Sequence, residues 1–123
     1  IITTRSLPYA EYIEKLKQAH IVLDQTYAHD QGVNALEAMA MGKVVFTGAG
    51  KEFYEYYDLD KTVSINAKPD VQYLAGQLEE LINNPHKISE IGSNARAFVE
   101  KEHHYIKIAK RYLNCWKSEK ISK

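Results

Sequence analysis

Glu37 carries the clearest chemical meaning in this sequence because its neighbours are so unlike it. Within Val33–Met41 (VNALEAMAM) it is the one charged side chain, and Asn34 is the one other polar residue. A segment apolar on nearly every side reads as a buried helix. A carboxylate there costs several kcal/mol unless it is paired or hydrogen-bonded. Ahead of it runs a polar loop, Gln25-Thr26-Tyr27-Ala28-His29-Asp30-Gln31-Gly32. The first amides of the helix that follows lack intrahelical acceptors and lie at the positive end of its dipole, so they suit a phosphate. Gly32 lets the backbone approach an anion with no Cβ in the way. Glu37, one turn into the helix, stands where it can accept two hydrogen bonds from a diol such as a ribose. Physics thus points to a nucleotide-like ligand without naming it. It leaves a second reading open, in which Glu37 pairs with a core Lys or Tyr or caps a neighbouring backbone group.

Other residues carry weaker signals. Gly48-Ala49-Gly50 reads either as a flexible turn or as a close approach to a ligand. Phe53, Tyr54, Tyr56 and Tyr57 suit packing on a surface helix or another domain more than stacking on a base. His103-His104 has no Cys or carboxylate pattern to make a metal site and reads as a helix junction. Cys115, beside the apolar stripe of the last helix, reads as packing and not as a nucleophile.

The elements that must position these groups follow from periodicity. Ile1–Thr4 reads as a short strand, Ser6 and Pro8 open a helix, and Ile21–Asp24 is a buried strand. The Val33–Met41 helix ends at Gly42, and Val44–Thr47 makes a third strand. A short helix or turn covers Glu52–Tyr57, and Thr62–Ile65 reads as a fourth strand. Three amphipathic helices close the chain over residues 70–119, with stripes led by Val71-Leu74-Leu78, Ile88-Ile91-Ala95 and Tyr105-Ile108-Tyr112. Strands alternating with helices imply an α/β fold: a Rossmann-like, doubly wound parallel sheet, truncated at its N-terminus. Ligands in such sheets bind beyond the carboxyl ends of the strands, where the Gln25–Gly32 loop lies.

At 123 residues the chain is one domain, residues 1–123. Sixteen basic residues balance sixteen acidic ones, so bulk charge supports no nucleic-acid partner. The positive charge is concentrated at the end, where Lys101, Lys107, Lys110, Arg111, Lys117, Lys120 and Lys123 face Glu102 and Glu119. That end reads as a solvated face, or as a surface resting on a partner half or on an anionic membrane. A single cysteine excludes an internal disulfide and fits a reducing compartment. With no spanning segment and no signal peptide, the expectation is a piece of a longer cytoplasmic polypeptide.

Asp30-Gln31-Gly32-Val33-Asn34-Ala35-Leu36-Glu37-Ala38-Met39-Ala40-Met41-Gly42-Lys43-Val44-Val45 resembles the donor-site signature of retaining glycosyltransferases of the two-Rossmann (GT-B) type, the glycosyl transferases group 1 family. The identities fall at Gly32, Leu36–Ala40, Gly42 and Val45, and the resemblance extends over essentially the whole chain as part of the C-terminal, donor-binding half. It implies retaining transfer of a sugar from a UDP- or GDP-type donor to an acceptor hydroxyl, as in polysaccharide biosynthesis, with no metal and no further cofactor. It implies that Glu37 holds the donor ribose and that Gly32, Val33 and Asn34 face its diphosphate and sugar. The position of the family's first Glu falls on His29, a departure. Either His29 hydrogen-bonds the sugar in its place or Asp30 supplies the carboxylate. No catalytic base is assigned. The family's basic pair and its acceptor-binding half lie outside this chain, so the chain alone is expected to bind weakly and turn over little. Two other functions share these features: a nucleotide-sugar epimerase of similar architecture, and a non-catalytic nucleotide-binding or scaffold domain.

Overall fold

The structure, a computed structural model, describes residues 1–3 and 5–121. Helix α1 (Tyr9–Gln18) leads into strand β1 (Ile21–Leu23), followed by α2 (Val33–Ala40), β2 (Val44–Thr47), α3 (Lys51–Tyr56) and β3 (Ile65–Asn66). Three helices complete the chain: α4 (Val71–Asn83), α5 (Pro85–Glu102) and α6 (Tyr105–Ile121). The strands form a parallel sheet in the order β1-β2-β3, with Ile21 beside Val44 and Phe46 beside Ile65.

The central strand explains why the sheet forms. All four residues of β2 are buried, as expected for a strand covered on both faces. Its side chains alternate. Val45 joins Leu16, Ala35, Ala38, Met39, Ala95 and Phe98 in one cluster, while Val44 and Phe46 join Ala67, Leu81 and Ile91 in another. Helix α5 contributes to both. The result is α/β with a small parallel sheet, compatible with a Rossmann-like fragment.

Helix α2 ends as its sequence dictates. Gly42 adopts φ +74°, and the amides of Gly42 and Lys43 bond the carbonyls of Met39 (3.0 Å) and Ala38 (3.0 Å). These two bonds satisfy carbonyls that the helix end would leave orphaned. Gly92 of α5 packs onto this turn so closely that a Cβ would lie 2.1 Å from the Gly42 carbonyl oxygen.

Three expectations need correction. Ile1–Thr3 form no strand and are exposed, and Thr4 lies outside the described residues. β-Branched residues favour strands only where a neighbour and a buried face await them, and among the described residues β1 pairs with β2 alone. The fourth strand, expected over Thr62–Ile65, is instead Ile65–Asn66. Val63 and Ser64 are buried, but the Tyr54 phenol serves their backbone: its oxygen accepts from Val63 N (3.2 Å) and Ser64 N (3.4 Å), and its O–H donates to Ser64 O (2.8 Å). Finally, the apolar stripe of α6 is not core within this chain. Tyr105, Tyr112 and Trp116 are each 60% exposed or more, and Cys115 is exposed too, so its reading as packing does not hold here. Among the described residues no helix is long and apolar enough to cross a membrane.

Candidate functional site

The loops that follow β1 and β2 meet at the carboxyl ends of the strands. Asp24, just past β1, accepts a hydrogen bond from Thr47 Oγ1 at the end of β2 (3.1 Å). Gln31 Nε2 donates to the Gly48 carbonyl. Residue 48 has to be glycine for reasons of space. A Cβ there would lie 2.5 Å from Ala28 O, 2.6 Å from Asp30 N and 2.6 Å from the His29 carbonyl carbon. Beyond β2, Asn66 Oδ1 accepts from Ala49 N (3.2 Å), and Tyr73 donates its hydroxyl to Asn66 O (2.9 Å). These contacts pin residues 28–31 against the Gly48 turn.

The helix start lies at the end of that loop. Gly32 is the N-cap of α2, at φ −79° and ψ 171°, with no side chain capping the helix. This backbone is open to any residue, so the glycine answers to proximity. A Cβ there would stand 3.3 Å from Gln25 Nε2, a tight but yielding contact. Val33 and Asn34 are exposed at the first turn. An uncapped start of this kind keeps its amides free for an anion.

Glu37 lies one turn further on, half-buried between Ala35, Ala38 and Met39, which are 0% exposed. Its Oε2 is buried and has no hydrogen-bond partner among the described residues. Neither a core Lys nor a Tyr hydrogen-bonds that oxygen. A cleft of about 340 Å³ opens at the first turn of α2, lined by Leu7, Tyr9, Tyr12 and Asn34. The Tyr12 phenol is raised above its ordinary pKa, first by burial and then by the charges of Glu37 and Asp24. Tyr12 on α1 and Asn34 on α2 line this cleft together, and Glu37 follows Asn34 by one turn of α2.

His29 and Asp30 are exposed on the loop. Asp30 Oδ1 accepts from Gln31 N (2.8 Å), a local turn contact. Its charge acts on Tyr57 and His103, whereas those of Glu37 and Asp24 act on Tyr12. A second open cleft lies on that side, lined by Tyr56, Tyr57, Asp58, Glu102 and Arg111. Of the aromatic cluster, Phe53, Tyr54 and Tyr57 pack inward, with Phe53 and Tyr57 edge-on to Phe98 at 5.4 and 5.0 Å, while Tyr56 is 81% exposed. His103-His104 does join two helices. Among the described residues no three of His, Cys, Asp and Glu gather as metal ligands.

Sequence reasoning gave no site role to Tyr12, Asp24 or Thr47, and took Gln25 and Gln31 only as part of the polar loop. Asp24 and Gln25 carried one usable signal, since polar residues at the carboxyl end of a parallel strand face the ligand side. Tyr12 carried none, because its spacing marks it as helix core.

No curated protein and no solved structure matches the chain. The glycosyl transferase-like family matches residues 1–114, a span that includes every group described at the cleft. That match supports a glycosyl transfer function for the domain. The chain belongs to the glycosyl transferase-like family.

Proposed function

We propose that this chain is the donor-binding, Rossmann-like part of a retaining GT-B-type glycosyltransferase. It takes a nucleoside diphosphate sugar, whose ribose hydroxyls donate to Glu37 and whose diphosphate or sugar meets the Gly32, Val33 and Asn34 amides. The observation that carries this reading is the buried, partnerless Oε2 of Glu37, one turn of α2 beyond Asn34, which lines an open cleft. An unpaired carboxylate oxygen among alanines is costly to keep, and a diol arriving from the cleft would satisfy it. Catalysis needs positive charge on the leaving diphosphate, and we assign that to a basic pair outside these 123 residues, separate from the acceptor-binding half that joins this domain. The basic last helix, α6, is the surface we assign to that half, with an anionic membrane as the other surface its Lys and Arg residues would suit. His29, or Asp30 beside it, is placed near the donor sugar.

A second reading, a nucleotide-binding domain without chemistry, draws on one observation: His29 stands where the resembling family has Glu. Incubating the intact protein with UDP- and GDP-sugars and an acceptor separates the possibilities. Sugar transfer or donor hydrolysis supports the transferase. Epimer formation would favour an epimerase, and binding without turnover the second reading. Absence of any nucleotide binding would overturn the donor site itself.

A further inference from the structure

The carboxylate of Glu37 solves only half of the problem a diol presents. Each hydroxyl brings a proton to donate and lone pairs that need a donor of their own, and a carboxylate only accepts. The cleft at the first turn of α2, one turn before Glu37, is lined by three side chains with such donors, Tyr9, Tyr12 and Asn34. Tyr9 is 66% exposed and Asn34 is exposed, so water serves both. Tyr12 is half-buried, packed against the core that holds Leu16, Ala38 and Met39. It is also the residue on which the charges of both Glu37 and Asp24 act. Asp24 in turn is tethered by Thr47.

We propose that Tyr12 is a specificity-determining residue of this site, donating its phenolic hydrogen to the diol whose protons Glu37 accepts. The inference rests on the donor reading above and deepens it, by adding a neutral donor to the acceptor already placed there. The pair is complementary: Glu37 accepts hydrogen bonds from the hydroxyls, and the Tyr12 O–H donates one to a hydroxyl lone pair. Burial and the two neighbouring charges hold the phenol above its ordinary pKa, so it keeps its hydrogen throughout the neutral range. A ligand lacking one hydroxyl would leave either Oε2 or the phenol unanswered, and selection for the intact ribose follows.

The test is calorimetric titration of the intact protein with UDP and GDP, and with their 2′-deoxy and 3′-deoxy counterparts. The proteins compared are wild type, Tyr12→Phe and Glu37→Gln. Tyr12→Phe keeps the ring and removes only the hydroxyl. It should weaken the ribonucleotide by about 3- to 10-fold, the scale of one neutral hydrogen bond. At least one deoxy counterpart should be weakened far less, so the ribose-to-deoxyribose ratio shrinks. Tyr12→Met, which keeps apolar bulk without a hydroxyl, gives the same narrowing if the Phe variant folds poorly. Equal weakening of ribose and deoxyribose ligands, or none, would overturn the role of Tyr12. If Glu37→Gln still abolishes discrimination in that case, the donor reading stands. Failure of wild type to bind any of these nucleotides would overturn both.

Discussion

Replacing Gly48 by alanine tests whether the loop that shapes the site is held by backbone contact. The added methyl would fall 2.5–2.6 Å from three backbone atoms of Ala28, His29 and Asp30. Comfortable contact between carbon and such atoms begins about 1 Å further out. Backbone cannot rotate aside as a side chain can, so residues 28–30 must retreat by that amount. Overpacking of this kind costs about 1–3 kcal/mol. At this chain length that corresponds to a fall in Tm of roughly 3–5 °C for each kcal/mol. The retreat also strains the bond from Gln31 to the Gly48 carbonyl and carries Gly32 and the start of α2 away from the cleft. Nucleoside diphosphate affinity should therefore drop about tenfold or more, beyond what the stability loss explains. Differential scanning calorimetry and titration calorimetry on the intact protein read the two effects. A Gly48→Ala protein with unchanged Tm and unchanged affinity would refute the packing of this loop.

Other perturbations reach different parts of the structure. Gly92→Ala drives a methyl to 2.1 Å from the Gly42 carbonyl and should separate α5 from the end of α2, with a loss of about 3 kcal/mol or an insoluble product. Tyr54→Phe removes the hydroxyl that serves Val63 and Ser64, and a loss of about 1–3 kcal/mol should appear in urea unfolding. His103 has a pKa below its ordinary value, chiefly through burial, with Arg111 adding to the shift and Glu102 and Asp30 opposing it. The unfolded chain then takes up this proton at a higher pH than the folded one, so stability is retained above about pH 6.5 and lost progressively below it. Melting curves between pH 7.5 and 5 should show that loss, and His103→Phe should flatten it.

The sequence made some elements legible and left others out of reach. Helix α2, its glycine stop and the strand after it were readable because Glu37 and Asn34 interrupt an otherwise apolar run and Gly42 sits at its end. The closing helices were readable from their periodic stripes. What periodicity cannot say is which stripe meets a partner within the chain: those of α4 and α5 do through Leu81, Ile91, Ala95 and Phe98, whereas most of that of α6 does not. The same limit misplaced the first strand, since Ile1–Thr3 have the composition of a strand but no neighbour. At the site, the residues on one continuous segment, Gly32 to Glu37, could be named in advance. Tyr12 and Thr47 could not, because only the fold brings α1 and the end of β2 to the same helix start. Asp30 lies seven positions before Glu37, one short of the resembling family's spacing, which falls on His29, and the two carboxylates act on different surroundings.

The claim on which the account turns is that the bare oxygen of Glu37 is reserved for a ligand. Glu37→Gln keeps the shape of the side chain and removes its second acceptor oxygen and its charge. Hydrogen bonds to a charged acceptor contribute about 1.5–3 kcal/mol, or about 10- to 150-fold in affinity. Titrating UDP and GDP into intact wild type and Glu37→Gln should show that loss with Tm unchanged or raised, because the variant no longer buries an unpaired charge. Equal affinity in the two proteins, or a variant that loses stability and not affinity, would make Glu37 a structural residue and contradict the account.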